Sequence, residues 1–393
     1  MRDDVLTSKL AGFGTTVFAE MSALAIKTGA INLGQGFPDT NGPSAVLDVA
    51  VGAIRAGVNQ YPPGLGEPEL RVAIAEHQRR WYGLTVDADT EVVVTAGATE
   101  ALAGAMLGML DAGDEVVLFE PMYDSYQAVI ALAAATPVPV LLQPDSDGDI
   151  WRFDPAALRA AITDRTKLIL LNTPHNPTGK VFTNEELQLI ANVVVEHGLI
   201  AVTDEVYEHL VFDGHTHIPL STLPGMAERT LTISSGGKTF HTTGWKIGWM
   251  SGPAPLVAAA RTAKQFLTFV NGAPLQPAMA VGLGLPNSYF AGMRAGLQAT
   301  RDRLVEALDS VGFITYTPEA SYFVTADIRP LDPTGNGVDF CRQLPHRCGV
   351  VAIPNEVFYA RPENGRHMVR FAFCKQMPVI EAAAKALTKG FST

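Results

Sequence analysis

LIAVTDEVY, residues 199–207, begins with four apolar residues and turns polar at Thr203 and Asp204. An apolar run without the alternation of a half-exposed strand is typical of a strand covered on both faces. Similar runs are EVVVTAG (91–97), DEVVLFEP (114–121), KLILLNTP (167–174) and TLTISS (230–235). Strands of this kind belong to parallel sheets flanked by helices, so the sequence predicts an α/β fold with a mostly parallel central sheet.

Helical patterns lie between these predicted strands. One helix is predicted from Thr99 to Leu110, and another over TNEELQLIANVVVEHG (183–198), where Thr183 is a suitable N-cap and a glycine closes the pattern. The apolar run AVIALAAATPVPVLL (128–142) is too short to span a bilayer and contains two prolines. We interpret it as a helix that runs into a buried strand.

The pattern changes after about Pro286, where a long helix is predicted over 289–311. We therefore expect a large domain over residues 42–285 and a smaller α+β domain over residues 286–393. Residues 1–41 are rich in glycine and proline, and we expect them to form an irregular N-terminal arm and part of the small domain.

Composition limits the classes of function. The 393 residues carry 29 basic and 40 acidic side chains, a net charge of −11, and no long basic run, so nucleic acid is a poor candidate partner. The three cysteines show no CxxC spacing, which argues against a disulfide scaffold or a zinc motif. The first ten residues, MRDDVLTSKL, lack an apolar signal core. We expect a cytoplasmic protein without a membrane span.

Polar and aromatic residues follow the predicted strands. In open α/β sheets, ligands bind beyond the carboxyl ends of strands, so we expect five of these strand ends to converge on one site. The five segments are Gly97–Thr99, Pro121–Tyr123, Asn172–Asn176, Asp204–Tyr207 and Ser234–Lys238.

Lys238 is the most reactive candidate in these segments. A P-loop would need a glycine where Thr232 stands, and no GxGxxG motif is present, so a nucleotide site is disfavoured. A lysine becomes a nucleophile when burial or a nearby cation disfavours its charge, and Lys246 lies eight residues further on. The glycines Gly236 and Gly237 would let a bulky group approach the backbone. These features favour a covalent role for Lys238.

The motifs SSGGKTF and TGWKIGW together resemble the lysine motif of pyridoxal-phosphate (PLP) aminotransferases of class I, which have fold type I. NTPHNPTG (172–179), TDEVYEHLVFDG (203–214) and VRFAFCK (369–375) are also similar to motifs of that family, and they occur in its order. NLGQGFPD (32–39), NQYPPGLG (59–66), TTVFAEMSALA and EPMYDSY most resemble the branch of kynurenine aminotransferases, glutamine transaminase K and actinobacterial N-succinyldiaminopimelate aminotransferases. The resemblance implies that residues 42–285 are a PLP-binding domain.

The resemblance also implies cofactor-binding roles. Lys238 would carry PLP as an imine, Asp204 would pair with the pyridine nitrogen, and Tyr207 would bind the ring hydroxyl, so these three form the expected catalytic set. The further expected cofactor contacts are Ala98 and Thr99 at a helix N-terminus, Tyr123 on the ring face, Asn172, Asn176, Ser235 and Lys246, and Tyr61 from the neighbouring subunit of a homodimer. Backbone N–H groups at a helix N-terminus favour an anion, which suits the phosphate.

The substrate contacts follow from the same resemblance. Arg370 offers a bidentate fork for a substrate α-carboxylate. The other expected substrate contacts are Asn176, Gly36, Phe37 and Phe18. The expected reaction moves an amino group from an amino acid to a 2-oxo acid, with N-succinyl-LL-diaminopimelate and 2-oxoglutarate as the leading pair.

Other functions stay open at this point. Kynurenine, glutamine, methionine or aromatic amino acids could be the donor, and a β-lyase acting on cysteine conjugates or cystathionine is a second enzymatic class. A PLP-binding regulator is disfavoured because no helix-turn-helix segment precedes the motifs. A metal-dependent enzyme would have to use the HxH pair His215 and His217, which has no obvious third ligand; we expect no metal.

Overall fold

An eight-stranded sheet forms the centre of the larger part of the chain in the computed structural model, which describes residues 5–14, 16–145 and 150–392. The strand order is β2-β9-β8-β7-β6-β3-β4-β5. The run from β8 to β4 is parallel throughout, whereas β9 is antiparallel to both of its neighbours and β5 is antiparallel to β4. The strands are β2 (Val92–Ala96), β3 (Glu115–Glu120), β4 (Thr136–Pro144), β5 (Trp151–Phe153), β6 (Thr166–Asn172), β7 (Ile200–Asp204), β8 (Thr230–Ser235) and β9 (Ile247–Ser251). The expected mostly parallel sheet is confirmed.

Helices cover both faces of this sheet. The helices of the described residues are α1 (Val17–Thr28), α2 (Ser44–Arg55), α3 (Pro68–Tyr82), α4 (Gly97–Met109), α5 (Asp124–Leu132), α6 (Pro155–Ala160), α7 (Asn184–Glu196), α8 (Gly236–Thr239), α9 (Ala254–Lys264), α10 (Gln276–Leu283), α11 (Asn287–Ser310), α12 (Gly337–Cys348) and α13 (Met377–Phe391). The Thr183 side chain accepts from the N–H of Glu186, and Glu186 reciprocates at the Thr183 N–H, so α7 begins with a complete capping box.

The two-sided cover explains why the central strands are apolar throughout. Along β6, Ile169 and Leu171 pack into the core on one face, and Leu168 and Leu170 pack into the core on the other. All four side chains are buried. Burying each such side chain stabilises the fold by about 1.5–3 kcal/mol, so a polar residue on either face would be costly.

A second, four-stranded antiparallel sheet has the order β10-β11-β14-β13. Its strands are β10 (Ile314–Tyr316), β11 (Phe323–Asp327), β13 (Ile353–Pro354) and β14 (Met368–Ala372). A separate parallel pair joins β1 (Ile31–Asn32) to β12 (Val350–Val351). The division into residues 1–41, 42–285 and 286–393 stays a prediction, and its residues 1–4, 15, 146–149 and 393 lie outside the described residues.

Two local expectations are wrong. The segment before Asn41 is not irregular, because α1 lies within it: the Thr16 side chain caps its N-terminus, Gly29 ends it at a φ of 67°, and Met21 and Ala25 bury one face. The strand expected within 128–142 is β4, which is only partly buried. It lies next to the last strand of the sheet, so its outer residues stay accessible.

In the described part of the chain, no helix is both long and apolar enough to cross a membrane.

Candidate active site

A cavity of about 430 Å³ lies at the carboxyl ends of the central strands. Residues that follow β2, β3, β6, β7 and β8 line it, together with residues of α1 and of the four-stranded sheet. It brings together the predicted residues Phe18, Gly36, Ala98, Thr99, Tyr123, Asn172, Asn176, Asp204, Tyr207, Ser235, Lys238, Lys246 and Arg370.

Lys238 belongs to α8, a single turn directly after β8. A side chain at Gly236 would collide with Met279, so only glycine lets α8 pack so closely against α10. The Lys238 Nζ atom lies 5.8 Å from the ring centre of Tyr207 and 5.4 Å from that of Tyr322. Burial lowers the pKa of Lys238 to about 8, and Cys374 and Asp204 oppose this shift. A substantial fraction of this amine is therefore neutral near pH 8, in contrast to an ordinary lysine.

Asp204 ends β7 with its carboxylate buried. The hydroxyl of Tyr126 donates to Oδ2 of Asp204 at 2.7 Å, and the Val206 N–H donates to Oδ1 at 3.4 Å. Burial raises the pKa of Asp204 to about 6, although Tyr126, Val206 and Lys238 lower it. A buried carboxylate with this pKa is poised to pair with a cationic ring nitrogen.

The two asparagines hold the loop after β6. The Asn172 side chain donates to the Asp204 carbonyl at 2.9 Å and accepts from the Asn176 N–H at 2.7 Å. Asn176 in turn accepts a hydrogen bond of 3.0 Å from Nη1 of Arg370. Both side chains line the cavity, and the Asn172 amide is bound to the backbone through both its nitrogen and its oxygen.

Arg370 lies in β14 and is only 2% exposed. Its Nη2 donates to the Gly34 carbonyl at 3.3 Å, while its Nε makes no hydrogen bond within the described residues. The guanidinium carbon lies 3.8 Å from the ring centre of Phe323 and 5.4 Å from that of Phe18. Burial lowers the pKa of Arg370 to about 10. No aspartate or glutamate in the described part of the chain forms a close ion pair with it, and Asp124, which lines the same cavity, acts on it only at longer range.

A candidate anion-binding cup lies at the N-terminus of α4, where Ala98 and Thr99 stand in the first turn. A Cβ atom at Gly97 would lie 3.0 Å from the Lys246 Nζ atom, and one at Gly248 would lie 2.8 Å from the Ala98 nitrogen. Glycine at these two positions therefore allows the Lys246 ammonium and the backbone of β9 to lie close to the first turn of α4. A cation above a helix N-terminus is suited to a phosphate.

The tyrosine hydroxyls stay protonated. Burial raises the pKa of Tyr123 to about 12 and that of Tyr207 well above its usual range. Tyr207 packs edge-on against Tyr322, with ring centres 5.4 Å apart, and Tyr322 donates to the Gly36 carbonyl at 2.6 Å. These phenols are therefore hydrogen-bond donors at neutral pH.

Two predicted residues lie outside the cavity of this single chain. Tyr61 is 82% exposed and packs edge-on against Phe269. Phe37 is also exposed, beneath the ammonium of Lys375, which donates to the Phe37 carbonyl at 2.7 Å. The HxH pair does not converge either: His217 contacts Glu205 at 2.7 Å, whereas His215 faces Glu319 at 3.7 Å.

The sequence did not single out several cavity residues. Tyr126 lies three positions after Tyr123, the N-cap residue of α5, and this short spacing is a signal that could have found it. Gln35 lines the cavity and donates to Ser22 at 2.6 Å, which fastens α1 to the site. Phe323 gave no signal, because its place beside Arg370 depends on the pairing of β11 with β14.

Comparisons with known proteins show similarity over nearly the whole chain. The model of the aminotransferase class I and II family matches residues 28–387. A probable N-succinyldiaminopimelate aminotransferase, DapC, of Mycobacterium tuberculosis is 50% identical over 390 residues, 97% of each chain. Human kynurenine–oxoglutarate transaminase 1 is 36% identical over 417 residues, 99% of each chain.

The fold also matches solved structures. The structure of N-succinyldiaminopimelate aminotransferase from Mycobacterium tuberculosis superimposes with a TM-score of 0.95 at 50% identity, and it covers 98% of this chain and 99% of its own. The likeness thus extends over the four-stranded sheet as well as the central one.

Proposed function

The chain belongs to the class I and II aminotransferase family, and from this premise we propose that it moves the amino group of N-succinyl-LL-diaminopimelate to 2-oxoglutarate with PLP on Lys238. The observation that carries the proposal is that the Lys238 amine and the Arg370 guanidinium share one cavity, and neither forms an ion pair with a carboxylate in the described residues. An amino acid offers the two groups that this pair lacks, a reactive nitrogen and a carboxylate.

The residues present fit PLP. Lys246 and the first turn of α4 would hold its phosphate, in the space that a Cβ atom at Gly97 would narrow. Asp204 would face the ring nitrogen, Tyr207 and Asn176 the ring hydroxyl, and Tyr123 the ring face. When bound, PLP supplies an electron sink for the α-carbon of the substrate.

Lys238 is the residue that moves protons. Its neutral Nζ, favoured by burial, would accept the proton from the substrate α-carbon. The resulting ammonium would then give that proton to the cofactor carbon that is bonded to the amino nitrogen. The neighbouring rings of Tyr207 and Tyr322 restrict its path. The same side chain thus serves as base and then as acid.

Arg370 would fix the substrate by its α-carboxylate. Two of its nitrogens are held by Asn176 and the Gly34 carbonyl, so the guanidinium is oriented before substrate arrives. Because the site is shielded by aromatic rings, a bidentate pair formed there is strong. This positioning would place the α-carbon beside Lys238.

The choice of donor rests on the likeness to the mycobacterial enzyme at 50% identity. Kynurenine is the main alternative amino donor, because the chain is also similar to human kynurenine–oxoglutarate transaminase 1. We further propose a homodimer, supported by the exposed aromatic patch of Tyr61, Phe266 and Phe269. The three free cysteines are consistent with a reducing compartment, the cytoplasm.

A donor panel tests the proposal. The purified enzyme should be given succinyldiaminopimelate, kynurenine, methionine and glutamine with 2-oxoglutarate, and kcat/KM compared. We expect succinyldiaminopimelate to lead by at least about tenfold, equivalent to 1.4 kcal/mol of transition-state binding. A higher value for kynurenine would refute the substrate while leaving the reaction class intact.

The reaction class has its own test. In Lys238→Ala, the rate of the half-reaction with any donor should fall by several orders of magnitude, because Lys246 is the only other lysine among the described residues that line the cavity. Pyruvate and ammonia released without an oxo acid acceptor would indicate β-elimination instead.

A further inference from the structure

His77, Glu208 and His209 form a buried cluster outside the candidate active site, here called the imidazole–carboxylate cluster. His77 lies in α3, and the other two follow Tyr207 in the turn after β7. The Nε2 atoms of the two histidines are 2.7 Å apart, and a Glu208 oxygen lies 4.0 Å from Nε2 of His77. One nitrogen or oxygen atom of each side chain lies within 4.8 Å of the other two.

The surroundings hold this cluster in place. The Tyr82 hydroxyl donates a hydrogen bond of 2.6 Å to Oε2 of Glu208, and the Ser234 hydroxyl donates one of 2.6 Å to Oε1. The ring of His209 packs against Trp81 and Phe290, with ring centres 4.8 Å and 4.5 Å away. Carboxylates at metal centres are oriented by hydrogen bonds of this kind, so the arrangement is one that a metal site requires.

The cluster also carries an unbalanced charge. His77 and His209 are buried, and their Nε2 atoms share one hydrogen bond, so one of these two nitrogens presents a lone pair in the metal-free cluster. The Glu208 carboxylate is also buried and accepts the Tyr82 and Ser234 hydrogen bonds. Among the described residues, no lysine or arginine pairs with this carboxylate. A buried anion without a cation is costly.

We propose that the imidazole–carboxylate cluster binds a divalent transition metal ion, zinc by the chemistry of its ligands, through His77, His209 and Glu208. Two imidazole nitrogens and one carboxylate oxygen are donors that zinc accepts, with the fourth position left to water. A cavity of about 460 Å³ reaches Glu208 and His209 and provides both the entry and the space for that water.

Zinc binding requires a small rearrangement. Metal–nitrogen bonds of about 2.0–2.1 Å in a tetrahedron set the two nitrogens roughly 3.3 Å apart, so the imidazoles must separate by about half an ångström. The ring that carries its proton on Nε2 in the metal-free cluster carries it on Nδ1 in the complex, and no proton is gained or lost overall. No bond to substrate is involved.

The position of the cluster indicates a structural role. Glu208 directly follows Tyr207, and its partner Ser234 directly precedes Ser235, so two segments of the active site adjoin the cluster. None of the three ligands lines the active-site cavity. The ion would fasten α3 to both segments without entering the reaction.

Metal analysis of untagged holoenzyme tests this inference. The protein is treated with a chelator, loaded with zinc sulfate, desalted and measured by mass spectrometry of the metal, in parallel with cobalt loading and a visible spectrum. We expect about one zinc per chain, a tetrahedral cobalt spectrum and a higher thermal midpoint with zinc. His209→Gln and Glu208→Gln should lose all three, while His215→Gln, a half-exposed histidine outside the cluster, should keep them.

A more conservative variant separates the loss of metal binding from the loss of the fold. Tyr82→Phe keeps all three ligands and removes one hydrogen bond to the carboxylate, so zinc affinity should fall about 10- to 100-fold with the fold intact. Wild-type protein that retains no stoichiometric zinc would overturn the proposal and leave a proton shared between His77 and His209. Equal retention of zinc by His209→Gln, or unchanged affinity in Tyr82→Phe, would also overturn it.

Discussion

The phenol of Tyr126 donates a hydrogen bond of 2.7 Å to Oδ2 of Asp204, and both groups are buried. Asp204 is the carboxylate expected to face the cofactor ring, so Tyr126 is in a position to set both its orientation and its acidity. The hydrogen bond favours the anion and opposes the rise in the pKa of Asp204 that burial causes.

Tyr126→Phe should therefore raise the pKa of Asp204 above its value of about 6. A hydrogen bond to a charged group contributes about 1.5–3 kcal/mol, or roughly one to two pH units. We expect the acidic limb of the Asp204 titration curve, followed by NMR in the cofactor-free protein, to move to higher pH by that amount. Tyr359→Phe, which changes a buried tyrosine beside Glu120, is the control and should leave the limb in place. Identical profiles for both variants would contradict the role of Tyr126.

Asp204→Asn should stabilise the cofactor-free protein at neutral pH. The folded-state pKa of Asp204, about 6, lies above its unfolded value of about 3.9. The free energy of unfolding of the wild type therefore falls as pH rises from about 3.9 to about 6, because the buried carboxyl is harder to ionise than the exposed one. The variant should equal wild type near pH 4 and exceed it by about 2–3 kcal/mol above pH 6. Urea unfolding at several pH values measures this difference; a variant that is less stable at pH 7 would be evidence against it.

Arg370→Lys should weaken the enzyme for every amino donor. A lysine keeps the positive charge but loses the planar fork and the contacts to Asn176 and the Gly34 carbonyl. The loss of one charged hydrogen bond, about 1.5–3 kcal/mol, predicts a fall in kcat/KM of roughly 10- to 100-fold, with KM rising. Arg366→Lys, four residues earlier and exposed, is the matched control and should retain wild-type kinetics.

Gly97→Ala should impair cofactor binding specifically. The residue has a φ of 72°, and the added Cβ would lie 3.0 Å from the Lys246 Nζ atom, within the anion-binding cup. Gly198→Ala introduces similar strain, at a φ of 63°, but its Cβ meets no atom within 4 Å. Both variants should lose about 1 kcal/mol of stability, while only Gly97→Ala should bind PLP at least about tenfold more weakly. Equal PLP affinities of the two variants in a fluorescence titration would contradict the binding of the PLP phosphate in the anion-binding cup.

Local patterns predicted the central sheet because its strands are covered on both faces. Leu168 to Leu171 could be recognised without knowing their partners, and the polar residues after each strand then predicted the site. The helix α1 was missed because the glycines around it dominated the composition, although Thr16 and Gly29 are ordinary cap residues.

Contacts between distant segments could not be predicted in the same way. Phe323 lies against Arg370 because β11 and β14 pair with Thr325 opposite Arg370, a register that no short window contains. The Tyr126–Asp204 hydrogen bond likewise joins residues 78 positions apart. Such contacts depend on the completed fold rather than on local sequence.

The parallel pairing of Ile31 with Val350 constrains how the enzyme is made on the ribosome. The two residues are separated by 350 − 31 = 319 positions, so at a synthesis rate of about 5–20 residues per second the first strand waits roughly 16–60 s for its partner. Gly34 meets Arg370 still later. A nascent chain therefore lacks the contact between Gly34 and the Arg370 guanidinium until residue 370 has been synthesised, and its amino-terminal segment has to avoid other partners during that interval.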